Sequence, residues 1–115
     1  MGVSNVTVIK KEDALKSVEG SNLTMRWLFE NDWLEVAALE INPLSTVEES
    51  DLCENPSLHF IIEGELAFES SEEIHFLSKG DCICFHEKAN YRIINHNEHK
   101  GIVYTFFIRS ETSHF

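Results

Sequence analysis

The chain has 115 residues, 43% hydrophobic and 25% charged, with eight Phe, two Trp and two Tyr, enough apolar material for one folded domain and too much for a disordered tail. Nine Lys and Arg stand against twenty Asp and Glu, a net charge of −11 with no basic run, which argues against nucleic acid and anionic membranes as partners. Three cysteines, no apolar leader after Met1 and no stretch near the ~20 apolar residues that cross a bilayer point to a reduced, cytoplasmic protein.

In chain order, Val3 to Ile9 alternates weakly and reads as an edge strand, and Glu12 to Val18 has the helical character of one turn at most. From Leu23 onward short apolar runs alternate with polar clusters. The runs are Thr24 to Phe29, Trp33 to Ile41, Leu58 to Ile62, Glu65 to Phe68, Ile74 to Leu77, Cys82 to Phe85, Tyr91 to Ile94 and Ile102 to Ile108. That spacing predicts an all-β sandwich or barrel with little helix. Breakers fall between the runs, at Asn31-Asp32, Asn42-Pro43, Asn55-Pro56, Gly64, Lys79-Gly80-Asp81 and Asn95 to Gly101, so the chain is expected to meander by hairpins. One domain over 1–115 is expected, with an N-terminal strand and turn extension at 1–22, a barrel at 23–108 and a tail at 109–115.

Two strands carry distinctive faces. Leu66 and Phe68 against Glu65, Ala67 and Glu69 predict a half-solvated strand, whereas Ile102 to Ile108 is apolar on both faces and predicts a strand buried on both sides. In so short a chain the outer cover is expected to be a second copy, hence a homodimer. The run Cys82-Ile83-Cys84-Phe85-His86 puts two thiols and an imidazole on one face. Neighbours two apart on a strand lie about 6.5–7 Å apart, awkward for two ligands on one zinc, so Cys82 and Cys84 are read as small buried hydrophobes.

The stretch FIIEGELAF, a strand ending at Leu77, then KGDCICF and NYRIIN together resemble the core of the cupin superfamily, over Leu34 to Ile108. The family's motifs run roughly G-x5-H-x-H-x3,4-E-x6-G and G-x5-P-x-G-x2-H-x3-N around a double-stranded β-helix, or jelly roll. In the second motif Gly80 opens and Asn95 closes, while His86 takes the proline place, Lys88 the glycine place and Tyr91 the place of the metal-binding His. In the first, Gly64 closes, Ser57 takes the place of the metal-binding Glu, and the His pair falls on Asp51 and Cys53, or on Ser50 and Leu52. Pro43-Leu44 stands near where the family often has Pro-Gly. The resemblance implies a cupin-like jelly-roll barrel whose usual metal ligands are replaced, so no cofactor is expected. A divalent metal held unconventionally by Asp51, Cys53 and His59 is the alternative.

If Ser57 points inward as the family's Glu does, the two-residue period turns His59 and Ile61 inward too, and Tyr91 brings Ile93. Ser57, His59, Ile61, Tyr91 and Ile93 are therefore the expected lining of a small-molecule pocket, with further Trp and Phe on its walls. His59 and Tyr91 are the candidates for acid and base chemistry or, equally, for hydrogen-bonded core residues. Three functions stay open: a metal-free binding module, an enzyme (an acid–base isomerase or epimerase, or an oxygenase with a non-standard metal site), and a dimeric structural or regulatory partner. The acidic loop Val47 to Glu54 is expected to be solvated beside the cavity mouth.

Overall fold

The computed structural model describes residues 5–14, 16–48, 56–86 and 90–109. Ten strands form two antiparallel sheets: β1 (Lys16–Glu19), β2 (Leu23–Glu30), β3 (Leu34–Ile41), β4 (Ser45–Glu48), β5 (Ser57–Glu63), β6 (Glu65–Glu69), β7 (Ile74–Ser78), β8 (Cys82–Phe85), β9 (Arg92–Asn95) and β10 (Gly101–Ile108). The large sheet runs β1-β2-β3-β10-β5-β8 and the small one β4-β9-β6-β7. This is the jelly-roll arrangement expected from the sequence. The described strands do not join the two sheets into one hydrogen-bonded wall, however, so the expected closed barrel is a sandwich of two facing sheets.

The core lies between the sheets. Met25, Ala37, Leu39, Ile41, Ile61, Val103 and Phe107 of the large sheet meet Val47, Leu66, Phe68 and Ile93 of the small one, together with Tyr91. In β10 and β5 every second residue points into it, which follows from the pleat. The motif glycines shape the hairpins. Gly64 turns β5 into β6 with φ 87°, and a Cβ there would sit 3.2 Å from the Lys100 carbonyl. Gly80, at φ 94°, turns β7 into β8 and donates its N–H to the Ile61 carbonyl at 2.9 Å, while the Ile61 N–H returns a bond to the Asp81 carbonyl at 2.9 Å. The Asp81 carboxylate closes the same turn on the Ser78 N–H at 2.8 Å. At the β2–β3 turn the Asn31 side chain accepts from the Trp33 and Leu34 N–H groups, both at 2.9 Å.

Several sequence expectations change. Residues 5–10 carry no strand, and 1–4 lie outside the described residues; Val6 and Val8 are exposed, and the sheet edge is taken by Lys16–Glu19 instead. The helical turn is a 3-10 turn at Lys11–Asp13, because pairing of Val18 with Met25 overrides weak helical preference in the rest of that segment. Val47 and Glu48, expected in a solvated loop, end a strand, Ser45–Glu48, paired with β9, and Val47 is buried in the core. Ala67 is buried although it was placed on a solvated face; its one-carbon side chain lies level with the larger register partners Phe76 and Ile94. In β10 Gly101, Val103, Thr105 and Phe107 are buried on the inner face, and Tyr104 on the outer face is 39% exposed, so within one chain the strand is covered on its inner side.

Cys82 and Cys84 are the clearest reversal: both thiols are free and exposed, not buried filler. The cause is register. Phe85 pairs with Ser57 and Ile83 with His59, so β8 turns Ile83 and Phe85 inward with the buried residues of β5 and leaves the cysteines outside.

Leu44 has φ 54°, and it is the only described residue other than glycine with positive φ. It stands at the Pro-Gly place of the cupin resemblance, with its side chain 70% exposed and its N–H bonded to the Asn97 carbonyl at 3.1 Å. A branched side chain in the left-handed region costs about 1–2 kcal/mol, partly offset by the greater freedom glycine has when unfolded. Leu44→Gly is therefore expected to raise the unfolding free energy by about 0.5–1 kcal/mol, read as a higher urea midpoint at unchanged slope.

Candidate functional site

The polar centre of the sandwich is His59, whose exposure is 0%. It stands on β5 two residues after Ser57, so both project to the same face, and β10 places Thr105 directly opposite it. The Ser57 hydroxyl lies 3.0 Å from His59 Nε2, and the Tyr91 hydroxyl, arriving from the chain just before β9, lies 3.1 Å from the same nitrogen. The Thr105 hydroxyl lies 2.9 Å from His59 Nδ1. Each hydroxyl can donate or accept, so either neutral tautomer of the imidazole is satisfied: Nδ1–H donating to Thr105 while Nε2 accepts, or the reverse. None of these three partners carries a charge to support an imidazolium. Burial accordingly pushes the His59 pKa down to about 4.

Aromatic rings enclose this network. Centroids of Tyr91, Phe85, Phe68 and Phe107 lie 5.5, 5.6, 5.7 and 6.4 Å from that of His59. Phe85 and Tyr91 stack on each other at 4.4 Å with an interplanar angle of 11°. Tyr91 lines two hollows, which also share Ser70, and Phe85 lines the smaller of them. One, of about 60 Å³, is lined by Phe68, Ser70, Glu73, His75, Phe85 and Tyr91. The other, of about 380 Å³, is rimmed by Glu48, Glu69 and Arg92, with Arg92 Nε 3.0 Å from the Glu69 carboxylate. A second hollow of about 380 Å³, on the flank of β6 and β7, shares no residue with the His59 network.

All five lining residues expected from the sequence, Ser57, His59, Ile61, Tyr91 and Ile93, are buried on the inner face. Ser57, His59 and Tyr91 come together; Ile61 and Ile93 are core. Sequence reasoning missed Thr105, whose signal was its place as the one hydroxyl between Val103 and Phe107 on the inner face of β10, and it did not single out Phe68, Phe85 or Phe107. Tryptophan does not supply the wall beside His59: Trp33 is exposed, and Trp27 packs half-buried against the core. Asp51 and Cys53, the other two residues of the alternative metal set, lie outside the described residues, as do Ser50, Leu52 and Lys88.

The cupin resemblance implies a metal at the positions of Ser57 and Tyr91. The residues present there do not fit one. Neutral hydroxyls stand at these two ligand places, and both already sit on His59 Nε2; the other two places, Asp51 and Cys53, lie outside the described residues. No group of three His, Cys, Asp or Glu side chains is placed to hold a metal ion among the described residues.

No protein-family model matches the sequence, and no curated protein matches it. Solved structures do match in three dimensions, and they establish that the chain has the cupin fold. An RmlC-like cupin from Shewanella frigidimarina is 14% identical, with 98% of this chain and 97% of that one covered at a TM-score of 0.73. An RmlC-like cupin with a double-stranded β-helix from Methanocaldococcus jannaschii is also 14% identical, covering 96% and 97% at 0.73. The polyketide cyclase RemF from Streptomyces resistomycificus is 12% identical, covering 90% and 79% at 0.72. No helix among the described residues is long and apolar enough to cross a membrane.

Proposed function

We propose that this cupin-fold chain is a metal-free binding module for a small, uncharged, planar organic molecule, taken up at the Tyr91–Phe85 mouth. The observation that carries the reading is the His59 network: three hydroxyls around one neutral imidazole, sealed by stacked aromatic rings beside a hollow. Such a centre offers hydrogen bonds without a fixed charge, and ring faces select flat apolar bodies. For a flat ligand to reach His59, Phe85 or Tyr91 must swing outward into the adjoining hollows.

Titration of the protein with phenol, catechol and indole, followed by NMR, tests this. Saturable shifts confined to His59, Phe85, Tyr91 and their neighbours are expected, with affinity reduced at least ~10-fold by Tyr91→Ala, a loss of ~1.4 kcal/mol or more. Shifts scattered over the surface, or site binding indifferent to Tyr91→Ala, would sink the proposal.

The 3.1 Å approach of Tyr91 to His59 favours a second reading, a metal-independent isomerase in which the pair moves a proton. In that case turnover of its substrate disappears on replacing either residue, and activity surviving both replacements removes the reading. The partner we propose besides the ligand is a second copy of the chain, in the cytoplasm. Its contact covers the half-exposed outer face at Ile62 and Tyr104, where a groove of about 260 Å³ also takes in Ile9 and Ile102. Light scattering that shows a strict monomer removes the dimer.

A further inference from the structure

Exposure of Cys82 and Cys84 leaves both thiols without a packing role. Free thiols on a surface are a chemical liability, and two on one face of one strand make a pair. They sit on β8, the terminal strand of the large sheet, opposite Phe60 and Leu58 of β5. Neither belongs to the His59 network or to the hollows beside it. We infer that Cys82 and Cys84 form a two-coordinate site for a soft monovalent cation of the copper(I) or silver(I) kind.

Geometry selects that class. Residues two apart on a strand are separated by ~6.4–6.8 Å. A disulfide needs its Cβ atoms within ~3.5–4.5 Å, out of reach without bending the strand. Tetrahedral zinc with bonds of ~2.3 Å needs its sulfurs ~3.8 Å apart and two further protein ligands, and the described residues bring no third His, Cys, Asp or Glu to the pair. A linear bis-thiolate needs only twice a metal–sulfur bond, ~4.6 Å, which each Sγ meets by leaning ~1 Å toward the other. Thiolate is the donor that soft cations prefer. Binding exchanges two S–H bonds for two metal–sulfur bonds and releases two protons, with no change of oxidation state. The apolar side chains opposite, Phe60 and Leu58, contribute no competing oxygen donor.

The test is titration of the full-length reduced protein with copper(I) under anaerobic conditions, in competition with a chromophoric copper(I) chelator. One equivalent per monomer is expected, with two of the three thiols protected from a thiol reagent. Cys82→Ser and Cys84→Ser should each weaken binding at least ~100-fold, because a single thiolate loses the high effective concentration of its neighbour. Cys53→Ser should leave it intact, and circular dichroism of the exposed-site variants should be unchanged. Retention in either single variant, loss in Cys53→Ser, or half an equivalent with copper-dependent association on light scattering would each overturn the inference. So would failure to compete with the chelator. Ligand binding at Tyr91 should be the same in Cys82→Ser, so this result and that of the proposed function stand or fall separately.

Discussion

Lowering the pH from 6.5 to 4 is expected to cost the fold about 3 kcal/mol through His59 alone. Its pKa is about 4 in the folded chain, against 6.5 when exposed. As pH falls, the unfolded chain takes up the proton first, so stability is complete above pH 6.5, declines through the window down to about 4, and is flat in this respect below it. About 2.5 pKa units at 1.36 kcal/mol each set the size of the effect. The cause is local: imidazolium would be buried among three hydroxyls and four aromatic rings with no carboxylate partner in the network. Two measurements check this. NMR of the imidazole should show a neutral ring at pH 5, and urea unfolding between pH 7 and 4 should show a decline that is smaller in His59→Gln, where the carboxylates titrate but the imidazole is gone. An imidazole titrating near 6.5 in the folded protein would contradict the expectation.

Asn95→Asp is expected to destabilise the protein by about 2–4 kcal/mol despite its nearly identical shape, at least as much as Asn95→Ala. Asn95 is 1% exposed, and its amide nitrogen lies 3.2 Å from the Ile41 carbonyl, 3.2 Å from that of Asn42 and 2.8 Å from that of His99. Its side-chain oxygen accepts the Asn97 N–H at 2.9 Å. One side chain thus holds the β3–β4 corner to the loop between β9 and β10. A carboxylate keeps the acceptor but turns a second oxygen toward three carbonyls, so it must either repel them or take up a proton. Chemical denaturation at pH 7 gives the loss directly, and recovery of part of it at lower pH would show the protonated acid donating in place of the amide.

Asn95 also shows where sequence reading stops. Its position at the end of the second cupin motif was legible from Gly80 onward, but its three carbonyl neighbours come from β3, the residue after it and a loop, which no spacing rule connects. Gly64 and Gly80 were legible for a simpler reason: a tight hairpin requires positive φ, and only glycine takes it without strain. Leu44 breaks that rule, and the resemblance marked the place without revealing the strained backbone.

The apolar runs and breakers by themselves determined the all-β class and most of the strands from Leu23 onward, while the cupin resemblance set Ser57 and Tyr91 inward and the two-residue period carried that to His59, Ile61 and Ile93. Those are local matters, since a two-residue period and a turn residue act within a few positions of the chain. Tertiary structure alone decided which strands are neighbours. Antiparallel pairing of β10 with β5 sets Thr105 against His59, and pairing of β8 with β5 sends Cys82 and Cys84 to solvent. A shift of either register by one residue would exchange the two faces and reverse both results. The polar centre and the exposed thiol pair are therefore consequences of register, which depends on contacts between residues far apart in the chain.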